Sequence, residues 1–211
     1  MKNFPQIGKI APNFLTIGVY KKRLGKIRLS DYRGKKYVIL LFYPANFTAV
    51  SPTELLALSD RISDFKKLST QILAISVDSP FSHLRYLLSD REEGGLANLT
   101  YPLVSDLTQS ITNDYKLMTD DGLALPGLFI IDKEGILQYY TVNNLLCGRS
   151  INELLRTLKS IQYVKKNPEN NTRSKSKSKS KSQSKSKSPR NNTRKQNKKK
   201  SLSNSSANKS S

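Results

Sequence analysis

A proline, a threonine and a serine stand four and three residues apart in FYPANFTAVSPTEL, residues 42–55. The spacing of Pro44, Thr48 and Ser51 is typical of a catalytic loop that leads into a helix. A thiol at the position of Ser51 would be a nucleophile toward peroxide, because a helix N-terminus and a nearby arginine lower the pKa of a thiol. A serine hydroxyl stays protonated at pH 7 and needs an adjacent base. The segment is therefore either a reactive site or a loop that keeps the conformation of such a site without its chemistry.

The residues around Ser51 favour a structural role. The single histidine, His83, lies in SPFSHL, which opens another helix, and nothing in the sequence places it beside Ser51. We expect His83 in a first helical turn or on the surface. SPTE matches a capping box, with Ser51 as N-cap, Pro52 as first helical residue and Glu54 as third. Such a cap contributes about 1 kcal/mol, and we interpret Ser51 as a cap and not as a nucleophile.

The chain contains one cysteine, Cys147. One cysteine excludes an intramolecular disulfide and a cysteine-based metal site. Cys147 is two residues from Arg149, which could keep a thiol reactive. Free cysteine is more commonly a small, buried and inert residue, and we favour that interpretation.

Apolar runs alternate with amphipathic stretches as far as residue 171. The runs, which predict strands buried on both faces, are KYVILLFYP, QILAISVDS and GLFIID. LQYYTV follows GLFIID after a short turn and predicts an antiparallel hairpin with it. Two helical faces are predicted between and after the strands: Leu55, Leu58, Ile62, Phe65 and Leu68, and Ile151, Leu154, Leu155, Leu158 and Ile161. This alternation predicts an α/β fold with helices on both sides of a sheet.

The C-terminal part differs in composition. Residues 173–211 contain 14 Lys or Arg and no Asp or Glu, with a Lys-Ser repeat. We predict a folded domain over residues 1–171 and a disordered basic tail over residues 172–211. The tail could bind polyanions without sequence specificity, or could simply be a solvating extension. No apolar run is long enough to span a membrane, and no targeting segment is evident, so we expect the protein to work where it is made.

Several blocks together resemble the typical two-cysteine peroxiredoxins, over roughly residues 4–171. These blocks, in order, are FYPANFTAVSPTEL, AISVDSPFSHLRYL, GGLANLTYPLVSD, GLFIIDKEGILQYYTVNNL and GRSINELLRTLKSIQYVKKNPE. The sequences of these blocks are most similar to those of the cyanobacterial and plastid branch of the family. The resemblance implies a thioredoxin-like fold, with a mixed central sheet flanked by helices. It also implies an obligate homodimer, often a decamer, no cofactor or metal, and thioredoxin as the reducing partner.

The same resemblance assigns roles to residues of the loop. Family members reduce peroxide with a cysteine thiolate in P-x-x-x-T-x-x-C, and a second cysteine of the partner subunit resolves the product. Pro44 matches the shielding proline, and Thr48 matches the threonine that binds peroxide. Ser51 stands where the peroxidatic cysteine is expected, and Thr172 stands at the resolving position.

Three further positions complete this comparison. The family's arginine before GLFIID is replaced by Pro126, whereas Glu54 and Arg149 match a carboxylate and a second arginine near the site. We therefore expect a peroxiredoxin-family protein that is inactive as a peroxidase. The alternatives are a residual peroxidase that uses Cys147, and a scaffold or binding protein with a polyanion-binding tail. The predicted location is a plastid, with the gene in the organelle; a bacterial cytoplasm is the alternative.

Overall fold

The computed structural model describes residues 4–48, 51–145 and 148–168. Its strands are β1 (Leu15–Tyr20), β2 (Arg23–Arg28), β3 (Tyr37–Phe42), β4 (Thr70–Ser76), β5 (Leu103–Ser105), β6 (Gly127–Ile131) and β7 (Leu137–Val142). Its α-helices are α1 (Ser51–Asp60), α2 (Ile62–Lys67), α3 (Pro80–Leu88), α4 (Ser110–Asp114) and α5 (Ile151–Lys166). Single 3-10 turns span Leu29–Tyr32 and Arg91–Glu93.

The seven strands form one mixed sheet in the order β2-β1-β5-β4-β3-β6-β7. β3 lies inside the sheet, parallel to β4 and antiparallel to β6, and all six of its residues are buried. That burial on both faces explains why its sequence is an unbroken apolar run. The predicted hairpin is confirmed, because β6 and β7 pair antiparallel. The predicted α/β fold with a mixed sheet flanked by helices is confirmed as well.

Two apolar clusters cover the two faces of the sheet. One face of the sheet packs against α1, α2, α3 and α5, and the apolar cluster on this side includes Leu55, Phe65, Tyr86 and Leu158. The other face packs against α4 and the N-terminal segment, and the apolar cluster on this side includes Ala11, Phe14 and Ile111. Both predicted helical faces therefore point into the first cluster. Four of the five helices lie on one side, so the two coverings are unequal.

Some elements differ from the sequence-based expectation. The face from Leu55 to Leu68 was expected to belong to one helix, but the helix is interrupted at Arg61, which separates α1 from α2. The β1–β2 hairpin was not predicted, because β2 is largely exposed and has no apolar periodicity.

Residues 1–167 form one compact unit. The domain boundary predicted at residue 171 lies outside the described residues. Among the helices of the described part of the chain, none is long and apolar enough to cross a membrane.

Candidate functional site

The loop after β3 carries the first predicted site residues, Pro44 and Thr48. Pro44 and the Thr48 side chain are half-buried, and the Thr48 hydroxyl donates to the carbonyl oxygen of Ala45 at 3.0 Å. Phe47 adopts a positive φ of 58° and its ring lies 4.6 Å from that of Tyr86. A non-glycine residue in this backbone region is held there by its surroundings. The loop therefore has a defined, tightly turned conformation.

Polar residues after β4 hold this loop in place. The Asn46 backbone N–H donates to Asp78 Oδ2 at 2.8 Å, and the Asn46 amide donates to Ser82 Oγ at 2.8 Å. The hydroxyls of Ser76 and Ser82 also donate to the carboxylate of Asp78, at 2.7 and 3.1 Å. Asp78 therefore ties the end of β4 and the start of α3 to the loop after β3. Sequence reasoning missed this network, although its signal was the polar run directly after the buried strand.

His83 belongs to the same network, and its predicted surface position is wrong. It lies in the first turn of α3, as the alternative prediction had it, but it is completely buried. Its Nδ1 lies 3.2 Å from Asn46 Oδ1 and 3.4 Å from the Tyr43 hydroxyl. Burial lowers the pKa of His83 below its usual value, against an opposing contribution from Asp78. The histidine therefore stays neutral at pH 7 and braces the loop.

Helix α1 begins at Ser51 itself, one residue earlier than the capping-box prediction, in which Pro52 is the first helical residue. A difference of one residue is usual at helix ends. The Ser51 side chain lies outside the described part of the structure, so its role as a cap stays a prediction. The capping box expects the Glu54 side chain to turn back toward Ser51. Instead, both carboxylate oxygens of Glu54 bind Arg149.

Arg149 joins three elements at one point. Its Nη2 donates to Glu54 Oε2 at 2.7 Å, and its backbone N–H donates to Glu54 Oε1 at 2.6 Å. Its Nη1 donates to the carbonyl oxygens of Phe42 at 3.1 Å and Gly127 at 2.9 Å. The side chains of Arg149 and Glu54 are only 9% and 14% exposed. The guanidinium thus links α1 to the ends of β3 and β6 in a largely desolvated position.

Pro126 is the buried residue directly before β6, next to the Gly127 carbonyl that Arg149 binds. The Pro126 carbonyl oxygen accepts from the Asn143 backbone N–H at 2.9 Å, which extends the β6–β7 pairing by one residue. Proline supplies neither a charge nor a side-chain donor there. Arg149 is therefore the cation that the described structure places at this end of β6.

A cavity of about 180 Å³ lies beside Arg149, between β7 and α5. Its polar lining includes Tyr139, Thr141, Asn143 and Glu153. No cluster of three or more potential metal ligands occurs within residues 4–48, 51–145 and 148–168.

Of the predicted site residues, the structure places Glu54 and Arg149 in direct contact. Pro126 lies directly before Gly127, whose carbonyl oxygen Arg149 binds. Pro44 and Thr48 lie on the separate, Asp78-braced loop that leads toward α1. The predictions for Cys147 and Thr172 fall outside the described residues. What the described arrangement provides is a rigid frame around the start of α1, with one buried cation and its carboxylate.

Comparisons with known proteins identify relatives of this chain. Residues 7–140 match the model of the AhpC/TSA family. A putative peroxiredoxin ycf42 of Trieres chinensis is 83% identical over 168 residues, which are 80% of this chain and 82% of that protein. A chloroplastic 2-cysteine peroxiredoxin of Chattonella marina var. antiqua is 55% identical over 164 residues, covering 78% of this chain and 84% of that protein.

A solved structure agrees with these relatives. The mitochondrial 2-Cys peroxiredoxin of Plasmodium falciparum superposes with a TM-score of 0.75 at 42% identity. The match covers 78% of this chain and 98% of the Plasmodium chain.

Proposed function

The chain belongs to the AhpC/TSA family of peroxiredoxins, and on that premise we propose that it keeps the family scaffold without thiol peroxidase activity. One observation carries the proposal: the first residue of α1 is a serine, Ser51. In the family resemblance this position belongs to the peroxidatic cysteine. The protein would then act through binding and not through peroxide reduction.

The chemistry of oxygen and sulfur supports this proposal. A thiolate attacks the O–O bond of a peroxide and becomes a sulfenic acid, with release of water or an alcohol. A serine hydroxyl is un-ionised at pH 7, and it cannot enter the sulfur oxidation sequence. His83, the only histidine, is buried and faces Asn46 and Tyr43, so it is engaged elsewhere.

Two further positions point the same way. Pro126 has no charge or donor with which to polarise a peroxide, whereas a guanidinium has five donors and a permanent charge. Thr172, at the resolving position, cannot form a disulfide. Thioredoxin would then have no disulfide to reduce at either position.

Peroxide turnover by the full chain tests the proposal, with thioredoxin and its reductase as the electron source. The wild-type protein and a Ser51→Ala variant should consume peroxide equally slowly, at the rate of a denatured control. A Ser51→Cys variant should gain a thiol that peroxide oxidises once, without sustained turnover. Adding Pro126→Arg to Ser51→Cys should accelerate this single oxidation.

Two results would overturn the proposal. Wild-type turnover that Ser51→Ala abolishes would make the serine catalytic. Turnover that Cys147→Ser abolishes would instead establish the residual peroxidase at Cys147.

Assembly, tail and location complete the proposal. We propose a homodimer, with a decamer as the larger form, because beyond Leu137, whose backbone bonds to Gly8 and Lys9, the outer edge of β7 pairs with no other strand among the described residues. Light scattering after size-exclusion chromatography would distinguish these masses. Residues 173–211 are proposed to bind polyanions non-specifically. We also propose a plastid location with the gene in the organelle, and the chloroplastic relative supports the plastid part of this proposal. A bacterial cytoplasm is the alternative location.

A further inference from the structure

The β1–β2 hairpin carries an unusual concentration of cations at the edge of the sheet. Residues 21–28 contain five basic residues and no acidic one: Lys21, Lys22, Arg23, Lys26 and Arg28. All five are exposed, and none forms an ion pair with another residue of the described chain. We call these five residues the basic hairpin. The helix packed against this hairpin, α3, has Arg85 as its only charged residue, so it adds to the positive charge.

The two residues at the turn of the basic hairpin, Lys21 and Lys22, are poorly suited to its backbone conformation. Lys21 and Lys22 have φ angles of 49° and 62°, both in the left-handed region. A two-residue hairpin turn with two positive φ angles favours Asn-Gly, because longer side chains are strained there. Asn-Gly would fit this backbone with less strain, and the contact of Lys21 Nζ with the Tyr20 ring, 5.5 Å from its centre, does not require a lysine at residue 22. Strain retained at an exposed tip points to a role for the lysine charges.

The cations are distributed over both faces of the ribbon. Successive strand residues point to opposite faces, so Arg23 lies on one face of β2 while Lys26 and Arg28 lie on the other. Lys21 and Lys22 occupy the tip between the strands. Because α3 packs against one face of the hairpin and β1 also pairs with β5, the parts that a polyanion can reach are the tip and the outer edge of β2. Long lysine and arginine side chains from both faces of β2 reach this narrow edge.

We propose that the basic hairpin is a binding surface for double-stranded DNA. Double-stranded DNA carries about one negative charge per 1.7 Å of its axis, a charge density that matches five cations along a narrow edge. The hairpin contributes arginine and lysine contacts to phosphates and no identified base readout, so the binding is independent of sequence. A second copy of the hairpin, or the basic tail of the same chain, is repelled by its charge. The proposal does not depend on whether the protein reduces peroxide.

The test compares full-length proteins, so that the tail contributes equally to every sample. Binding to a short labelled DNA duplex is measured by fluorescence anisotropy between about 50 and 200 mM salt. The first variant is Lys21→Asn/Lys22→Gly, which removes two charges and installs the residues that the turn favours. The matched control is Lys66→Gln/Lys67→Gln, which removes two exposed lysines from α2.

Each lost phosphate contact lowers the slope of log K against log salt by about 0.9. The turn variant should therefore lose about 1.8 units of slope and about tenfold or more in affinity at about 50 mM salt. It should also be at least as resistant to urea as the wild type, which separates lost binding from lost folding. The control should keep the wild-type slope. Arg23→Gln/Lys26→Gln, which leaves the turn unchanged, should repeat the loss.

Three results would overturn the proposal. In the first result, both hairpin variants keep the wild-type slope and affinity. In the second result, the α2 control loses as much as they do. In the third result, the hairpin variants lose binding to vesicles of phosphatidylcholine and phosphatidylserine but keep full affinity for DNA. That outcome would assign the basic hairpin to a membrane surface.

Discussion

Replacing Arg149, which lies two residues before α5, by methionine should destabilise the protein more than the same change at Arg156, the arginine within α5. The substitution keeps the length and apolar stem of the side chain but removes the guanidinium. The Glu54 carboxylate, 14% exposed, then loses its cation. The carbonyl oxygens of Phe42 and Gly127 lose donors at 3.1 and 2.9 Å. Three polar groups are left undersatisfied at the junction of α1, β3 and β6.

The magnitude follows from burial. Removing one partner of a buried ion pair costs about 3–5 kcal/mol, because a charge stays buried without compensation. Since the pair is slightly exposed, and Glu54 keeps the backbone N–H of Arg149, the lower value of about 3 kcal/mol is expected. For a chain of this size, that cost corresponds to a fall in Tm of roughly 6–12 °C.

Urea unfolding followed by far-UV circular dichroism would measure this cost, since the chain has no tryptophan. Arg156→Met is the matched control, because Arg156 also pairs with a glutamate, Glu153, at 2.6 Å. Those two side chains are 67% and 52% exposed, so solvent screens the pair and the control should leave the free energy of unfolding nearly unchanged. Arg149→Lys should be intermediate, because lysine keeps the charge but not the planar fork.

A difference of less than about 1 kcal/mol between Arg149→Met and Arg156→Met would refute the reasoning. It would mean that solvent or a rearranged neighbour replaces the guanidinium. A Glu54→Gln/Arg149→Met double variant extends the comparison. Its cost should be clearly smaller than the sum of the two single costs, because each single change strands the other group.

Three further predictions concern other parts of the fold. Burial alone would raise the pKa of Asp132, but hydrogen bonds from Lys165 and neighbouring donors hold it below its usual value. Lys165→Met should therefore cost about 1 kcal/mol in urea unfolding at pH 7, and this cost should shrink as the pH falls below ~4 and through the lowered pKa of Asp132. Burial lowers the pKa of His83, so wild-type stability should fall as pH drops below ~6.5, and His83→Gln should lack that slope. A Cβ at Gly18 would lie 2.7 Å from a β5 carbonyl oxygen, so Gly18→Ala should lower Tm at a cost of about 1–3 kcal/mol, whereas Gly25→Ala, with open space around it, should be nearly neutral.

The parts of the fold that were predictable are those where burial imposes a period on the sequence. β3 is buried on both faces and reads as an unbroken apolar run. α5 buries one stripe, which includes Leu154, Leu155 and Leu158, and reads as a helix. β2 buries almost nothing, so its sequence carried no signal, and the hairpin appeared only in the structure. The interruption at Arg61 was missed because the apolar spacing continues across it.

The contacts within the candidate site were not predictable from the sequence. The family resemblance pointed to Glu54 and Arg149, but the sequence could not show that they bind each other, because 95 residues separate them. His83 looked like a polar residue at the start of a helix, and its burial depends on the loop that it braces. Long-range polar contacts of this kind leave no periodic trace in a sequence.

The contacts that hold this site together do not need a sulfur atom at residue 51. Arg149 is fixed by Glu54 and two backbone carbonyl oxygens, and the loop after β3 is fixed by Asp78 and Asn46. None of these bonds involves the side chain of Ser51. These contacts can therefore persist when the side-chain atom at residue 51, on which peroxide reduction in the family depends, is changed. The 83% identity to a putative peroxiredoxin is therefore compatible with the proposal that residue 51 supplies no nucleophile. The persistence of these contacts also makes Ser51→Cys an informative experiment, because the contacts around the start of α1 are in place and only the arginine that Pro126 replaces has to be restored separately.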